Sequence, residues 1–292
     1  MNGHKPSLLI LAAGASSRMK KSLEALQSGP KTQSSGTRPG LSSSVASSTH
    51  KGLIPLDAQG RTAIDLLIDQ AYGAGITRVI LIIQPPGTAF KQHFANNKIN
   101  IEFAYQNIAE GREKPLGTAD ALAQCLTQFP ELLDQEFIVC NADNLYSKAA
   151  FLDLIDSPFE NALIGYDRQG LKFPLSKIRN FALLVADKDG CMTELIEKPD
   201  EKITERLLSQ GQKLNVSMNL WKFKGSDLWT SLQHCPIHPE RLEKELPTAV
   251  KLMITVGNTR LAVIPRNEHV PDLTQASDIG RVQLFLNQEP KD

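Results

Sequence analysis

The sequence predicts an α/β fold, a Rossmann-like three-layer α/β/α domain around a mixed, mostly parallel sheet. Two observations predict it. Short apolar runs alternate with helical patterns along most of the chain, which is the order of strand and crossover helix in a doubly wound sheet. The runs 7–13 and 78–84 are apolar almost throughout, as strands buried on both faces of a parallel sheet are.

Each element follows in turn. The run 7–13 is too short to span a bilayer and opens into a Gly/Ser turn and Arg18, so it reads as a strand. Residues 62–75 set Ile64, Leu67, Ile68 and Ala71 on one face of a helix, and Gly73 or Gly75 can end it. Strands are expected at 99–105 and 136–141, with a helix over 118–129 between them. Later strands are expected at 162–166, 182–186, 193–197, 216–223 and 260–264. Helices fit 201–210, 226–233 and 275–286, and some strands of this second half are expected to be antiparallel.

Composition narrows the function. The chain has 292 residues, 41% hydrophobic and 22% charged, which suits a single domain over 1–292 with a sizeable core. Its 32 basic and 32 acidic residues cancel, so no net field favours nucleic acid or a membrane surface as partner. Cys125, Cys140, Cys191 and Cys235 form no CxxC pair, which argues against zinc or a disulfide framework and suits a reducing cytoplasm. Residues 20–50 hold nine serines, three glycines and two prolines, and are expected to form a flexible Ser/Gly-rich insertion.

The chemistry starts directly after the first strand. In Leu11-Ala12-Ala13-Gly14-Ala15-Ser16-Ser17-Arg18-Met19, small residues let backbone N–H groups approach a phosphate, and Arg18 adds a charged fork for its oxygens. Neither a dinucleotide fingerprint nor a P-loop is present. An ordinary βα turn with a surface arginine would read the same way. The motif resembles the N-terminal signature of the nucleotidyltransferase superfamily that includes sugar-nucleotide pyrophosphorylases and cytidylyltransferases. In that family a downstream lysine completes the turn. Lys20, Lys21, Lys31 and Lys51 are candidates, and the Leu53-Ile54-Pro55-Leu56 that follows Lys51 resembles the family and favours it.

Further motifs extend the resemblance in family order, from residue 8 to about 280. Pro115-Leu116-Gly117-Thr118-Ala119 opens a helix, with Gly117 passing close to a flat ligand and Thr118 as N-cap. It resembles the segment that lines the nucleobase pocket, bordered here also by Gln106. The apolar run 137–140 leads to Asp143, a carboxylate at the sheet's carboxyl edge, where ligands bind in open α/β folds. It resembles the metal-binding strand end. Mg²⁺ takes one or two protein carboxylates beside substrate phosphates, and Asp278 in Thr274-Gln275-Ala276-Ser277-Asp278 is the expected second ligand, with Asp272 as its rival. Glu197-Lys198-Pro199 resembles the element in which Glu contacts the sugar and Lys its 1-phosphate. Asn219, in Asn215-Val216-Ser217-Met218-Asn219, stands where a glycine is usual on the sugar-facing strand.

The resemblance implies a GT-A-like fold and a Mg²⁺-dependent transfer of a nucleotidyl group from an NTP to a sugar 1-phosphate, with release of pyrophosphate. Arg18, Lys51 and Lys198 would be catalytic, with Ala13 and Gly14 in the triphosphate turn. A stand-alone catalytic domain is expected, and nothing in the sequence opposes a homo-oligomer. Two alternatives stay open: a cytidylyltransferase acting on another phosphorylated molecule, and a non-catalytic sugar-nucleotide-binding regulator.

Overall fold

Alternating side chains explain why the apolar runs form a central layer. In the first strand Leu8 and Ile10 enter one core cluster and Leu9 another, and in the fourth Ile138 and Cys140 divide from Phe137 and Val139 in the same way. Each such side chain contributes on the order of 1.5–3 kcal/mol when buried. The structure is a computed structural model that describes residues 5–14, 17–28, 50–97 and 99–288, without the side chains of 17, 18, 20 and 26–28.

The strands are β1 (Ser7–Leu11), β2 (Arg78–Ile83), β3 (Asn100–Tyr105), β4 (Glu136–Asn141), β5 (Ala162–Asp167), β6 (Leu183–Ala186), β7 (Met192–Ile196), β8 (Asn215–Lys224) and β9 (Ala262–Arg266). They form one sheet in the order β3-β2-β1-β4-β8-β5-β9, with β6 joined to β8 and β7 to β6. Along the main path β8 runs against the other six, which all point the same way. The β6–β7 hairpin supplies the antiparallel part expected in the second half.

The helices are α1 (Ser17–Ser28), α2 (Ala63–Gly73), α3 (Thr88–His93), α4 (Thr118–Gln128), α5 (Lys148–Asp156), α6 (Leu175–Ile178), α7 (Glu201–Ser209), α8 (Gly225–Gln233), α9 (Leu246–Thr255) and α10 (Ala276–Gln288). α2 and α5 pack on one face of the sheet, α4, α8 and α9 on the other. Thr62 and Asp65 form a reciprocal capping box that starts α2. The helical periodicity does not announce α5 or α9.

A third cluster joins the two ends of the chain. Met19 of α1 packs with Ile54, Leu56, Leu273 and Ile279, and the Ser22 hydroxyl accepts the Ala276 N–H at 2.9 Å. This corrects the expected insertion at its start. Residues 20–28 continue a helix because Met19 and Leu23 have apolar partners there, while 29–49 lie outside the described residues. Among the described residues no helix is long and apolar enough to cross a membrane. All four cysteines are buried and unpaired, and burial pushes the Cys125 thiol up to about 12.

Candidate active site

The turn after β1 is held by two side chains. The Gln84 side-chain amide donates to the Ala13 carbonyl at 2.6 Å, and His50 Nε2 bonds the Gly14 carbonyl at 3.1 Å. His50 Nδ1 accepts the Gly52 N–H at 3.1 Å, which puts the ring proton on Nε2 as the donor to Gly14. Gly14 is exposed, and among the described residues no atom outside its chain neighbours lies within 4 Å of where a Cβ would stand, which leaves room for a close-approaching group. Arg18 stands in the first turn of α1, with its side chain outside the described residues.

His50 thereby fastens this turn to the 3-10 turn Lys51–Leu53. Lys51 forms an ion pair with Asp143 Oδ2, both side chains being mostly buried. Asp143 lies just beyond β4, and its carbonyl accepts the Leu273 N–H at 2.8 Å. Lys51 is thereby joined to the strand-end carboxylate, while the side chain of Lys20 and all of Lys31 lie outside the described residues. The His50 contact was missed in the sequence, although the residue sits directly before Lys51.

Asp278 stands at the start of α10. Its carboxylate is 3% exposed, and Oδ2 accepts the N–H groups of Thr274 at 3.1 Å and Gln275 at 2.9 Å, capping α10. Among the described residues its other oxygen, Oδ1, takes no such bond and lies 3.9 Å from Arg281. The rival Asp272 is brought beside the Asp143 segment, because Asn144 and Asp272 pair across a short antiparallel bridge. Asp272 accepts the Thr274 hydroxyl at 2.8 Å and pairs with Lys177 at 2.7 Å.

Four further expected residues converge on one cavity of about 450 Å³: Thr118, Glu197, Lys198 and Asn219. They come from α4, the end of β7 and the middle of β8. Lys198 has a left-handed backbone, with φ 44°, and among the described residues its ammonium has no ion-pair or hydrogen-bond partner. Asn219, at φ 59°, sits where the β5–β8 register slips, so a bulge turns this stretch of β8 beside the cavity. Asparagine accepts that conformation better than most residues. The Tyr146 hydroxyl donates to the Met218 carbonyl at 2.7 Å and braces the bulge.

The Gly117 turn differs in detail from its expected role. The N-cap is Gly117, not Thr118. The Thr118 hydroxyl accepts the Leu246 N–H at 2.8 Å, fixing the start of α9. What passes close to Gly117 is the backbone of Lys244: a Cβ would lie 2.4 Å from its carbonyl oxygen. Gln106 is buried, and its amide nitrogen donates to the Gly117 carbonyl at 2.9 Å and to Asp120 at 2.8 Å, so it positions the turn.

Sequence reasoning missed Arg241 and Glu245, which also line the cavity. Arg241 donates to Glu197 at 2.6 Å and lies 2.8 Å from Glu245. Burial holds the Glu245 carboxyl above its usual range, with Arg241 opposing that effect. A larger groove of about 1000 Å³, bordered by Arg61, Ser147, Glu268 and His269, contains none of the expected residues.

With this geometry in view, residues 43–289 match the family model described as nucleotidyl transferase. The chain belongs to the nucleotidyl transferase family. The match begins after the Gly14 turn and takes in Lys51, Asp143, the Glu197-Lys198 pair and Asp272. An alignment 106 residues long, covering 33% of the chain, shows 32% identity to a protein of Arabidopsis thaliana named inactive glucose-1-phosphate adenylyltransferase small subunit 2, chloroplastic. That alignment spans 22% of the relative's length.

Proposed function

We propose that this nucleotidyl transferase joins an NTP to a sugar 1-phosphate, releasing pyrophosphate and forming an NDP-sugar. The observation that carries the reading is the one cavity shared by Thr118, Glu197, Lys198 and Asn219, whose lining also takes in Asn141 at the end of β4, two residues before Asp143. An ammonium with no partner among the described residues, next to hydroxyl-binding groups, suits a phosphorylated sugar better than a bare cofactor.

One phosphate oxygen of the sugar 1-phosphate attacks the α-phosphorus in line. The bond from that phosphorus to the oxygen bridging the α- and β-phosphates breaks, and pyrophosphate leaves with the electron pair. The chain contributes position and charge rather than covalent chemistry. Lys198 holds the attacking phosphate, and Glu197 and Asn219 orient the sugar hydroxyls. Lys51, Arg18 and the Ala13–Gly14 backbone hold the triphosphate and the departing pyrophosphate. Gln106 sets the Gly117–Thr118 turn that borders the base.

The residues also fit Mg²⁺. Asp143 and Asp272 are hard oxygen donors on two backbone-paired segments at the sheet's carboxyl edge, and such an ion needs one or two of them. When bound, it would neutralise charge building on the α-phosphate.

The relative's name marks that protein as inactive, so a non-catalytic binder is the reading to exclude. The test is pyrophosphate release by the purified chain, with Mg²⁺, across four NTPs and a panel of sugar 1-phosphates. Release that requires both a particular NTP and a sugar 1-phosphate is expected. Nucleotide binding without release for any pair would overturn the reading.

A further inference from the structure

The Lys51–Asp143 pair sets a condition on how the site takes up a cation. This inference rests on the functional reading above, which makes Asp143 a metal ligand. Lys51 Nζ lies on Asp143 Oδ2, and both side chains are mostly shielded from water, at 17% and 14% exposed. A pair so shielded is poorly screened by salt. Lys51 also has little freedom to drift away. Its 3-10 turn is anchored by buried Leu53 and Ile54, and by His50, which links the Gly52 N–H to the Gly14 carbonyl. The geometry points to Lys51 and a divalent cation competing for the same carboxylate.

Lys51 is therefore more than a phosphate ligand. A cation arriving alone must displace an ammonium or bind beside it, and like charges at such range repel strongly. A triphosphate changes the balance, because its oxygens offer the ammonium another partner within reach of the Gly14 turn. Cation and nucleotide then bind cooperatively, each raising the other's affinity by the same factor. The cation is admitted with the triphosphate and held weakly without it.

The test measures Mn²⁺ alone, by electron paramagnetic resonance of the free ion titrated with full-length protein. Lys51→Met is expected to bind Mn²⁺ about tenfold or more tightly than the unaltered chain. In Lys51→Met combined with Asp143→Asn that gain should vanish, since it runs through the carboxylate. Lys198→Met removes a different cation from the neighbouring cavity and should leave Mn²⁺ affinity within about twofold. Should Lys51→Met fold poorly, judged by its melting curve, Lys51→Gln carries the same test. Equal Mn²⁺ affinity in the folded Lys51 variant and the unaltered chain overturns the inference, as does an equal gain in Lys198→Met. Failure of the functional reading shows separately, as absence of pyrophosphate release for every NTP and sugar 1-phosphate.

Discussion

Arg241 donates a hydrogen bond to Glu197 Oε2 at 2.6 Å, while the same nitrogen lies 2.8 Å from Glu245. The two carboxylates come from segments that share no strand, so the guanidinium fixes where Glu197 points. Hydrogen bonds to charged groups contribute about 1.5–3 kcal/mol, but Arg241 is 38% exposed and solvent screening reduces that. Arg241→Gln should raise KM for the sugar 1-phosphate about tenfold, with KM for the NTP nearly unchanged. Steady-state kinetics with each substrate varied in turn checks this. An equal loss for both substrates would place Arg241 outside acceptor binding.

Gly117 carries a second prediction. Its φ of 111° is one that side chains rarely adopt, and a Cβ would press on the Lys244 carbonyl oxygen. That carbonyl accepts the Ala119 N–H at 2.9 Å, and the Lys244 N–H donates back to Leu116 at 2.6 Å. The two segments are thus locked at close approach. Gly117→Ala should cost about 2–4 kcal/mol of stability through backbone strain and overpacking. Urea denaturation measures it, and a loss below about 1 kcal/mol would mean the turn relaxes freely.

Much of this was legible in the sequence, and the exceptions have physical causes. β1 and β4 announce themselves because burial on both faces demands unbroken apolar runs. Lys51 is legible through the apolar residues that anchor it after the 29–49 stretch. Asp272 and Asp278 are not separable by type or neighbourhood: backbone pairing brings one to Asn144, and helix capping takes one oxygen of the other. Arg241 is hidden for a similar reason. It stands in the charged stretch 240–245, where nothing local says that it reaches across to Glu197.

His269 sets a pH dependence for stability. Burial, with Lys172 and Lys177 adding to it, holds the imidazole down at about 4 against an ordinary value of 6.5. The ring packs edge-on against Phe173 and Phe285, and its Nδ1 accepts the Lys172 N–H at 3.2 Å. Between those two pH values the unfolded chain binds more protons than the folded one, so stability rises with pH. The contribution is fully present above 6.5 and is lost as pH falls towards 4, by about 2 kcal/mol after allowance for this partly exposed ring. His269→Asn should flatten the fall in melting temperature over that window. Parallel melting curves for the two proteins would remove His269 from the acid response.

The last prediction sets function against stability at Lys198. At φ 44° this lysine occupies a left-handed conformation that costs a residue with a Cβ roughly 1 kcal/mol, a cost that glycine avoids. Its ammonium has no partner among the described residues, so the fold gains no ion pair in return. The backbone turn aims the side chain at the cavity shared with Glu197 and Asn219. Lys198→Gly should therefore keep or raise stability, by up to about 1 kcal/mol once glycine's greater unfolded-state entropy is set against the relieved strain. It should also raise KM for the sugar 1-phosphate at least tenfold, because a compact charge on the attacking phosphate is not replaced. Nucleotide affinity, measured by calorimetry without the acceptor, should stay within about twofold. Lys198→Arg tests the same point from the other side, keeping the charge and the strain. It should melt like the unaltered chain and recover part of the acceptor affinity. A glycine variant that melts early and loses both substrates alike would show that Lys198 serves the fold, and acceptor binding would have to be sought elsewhere in the cavity.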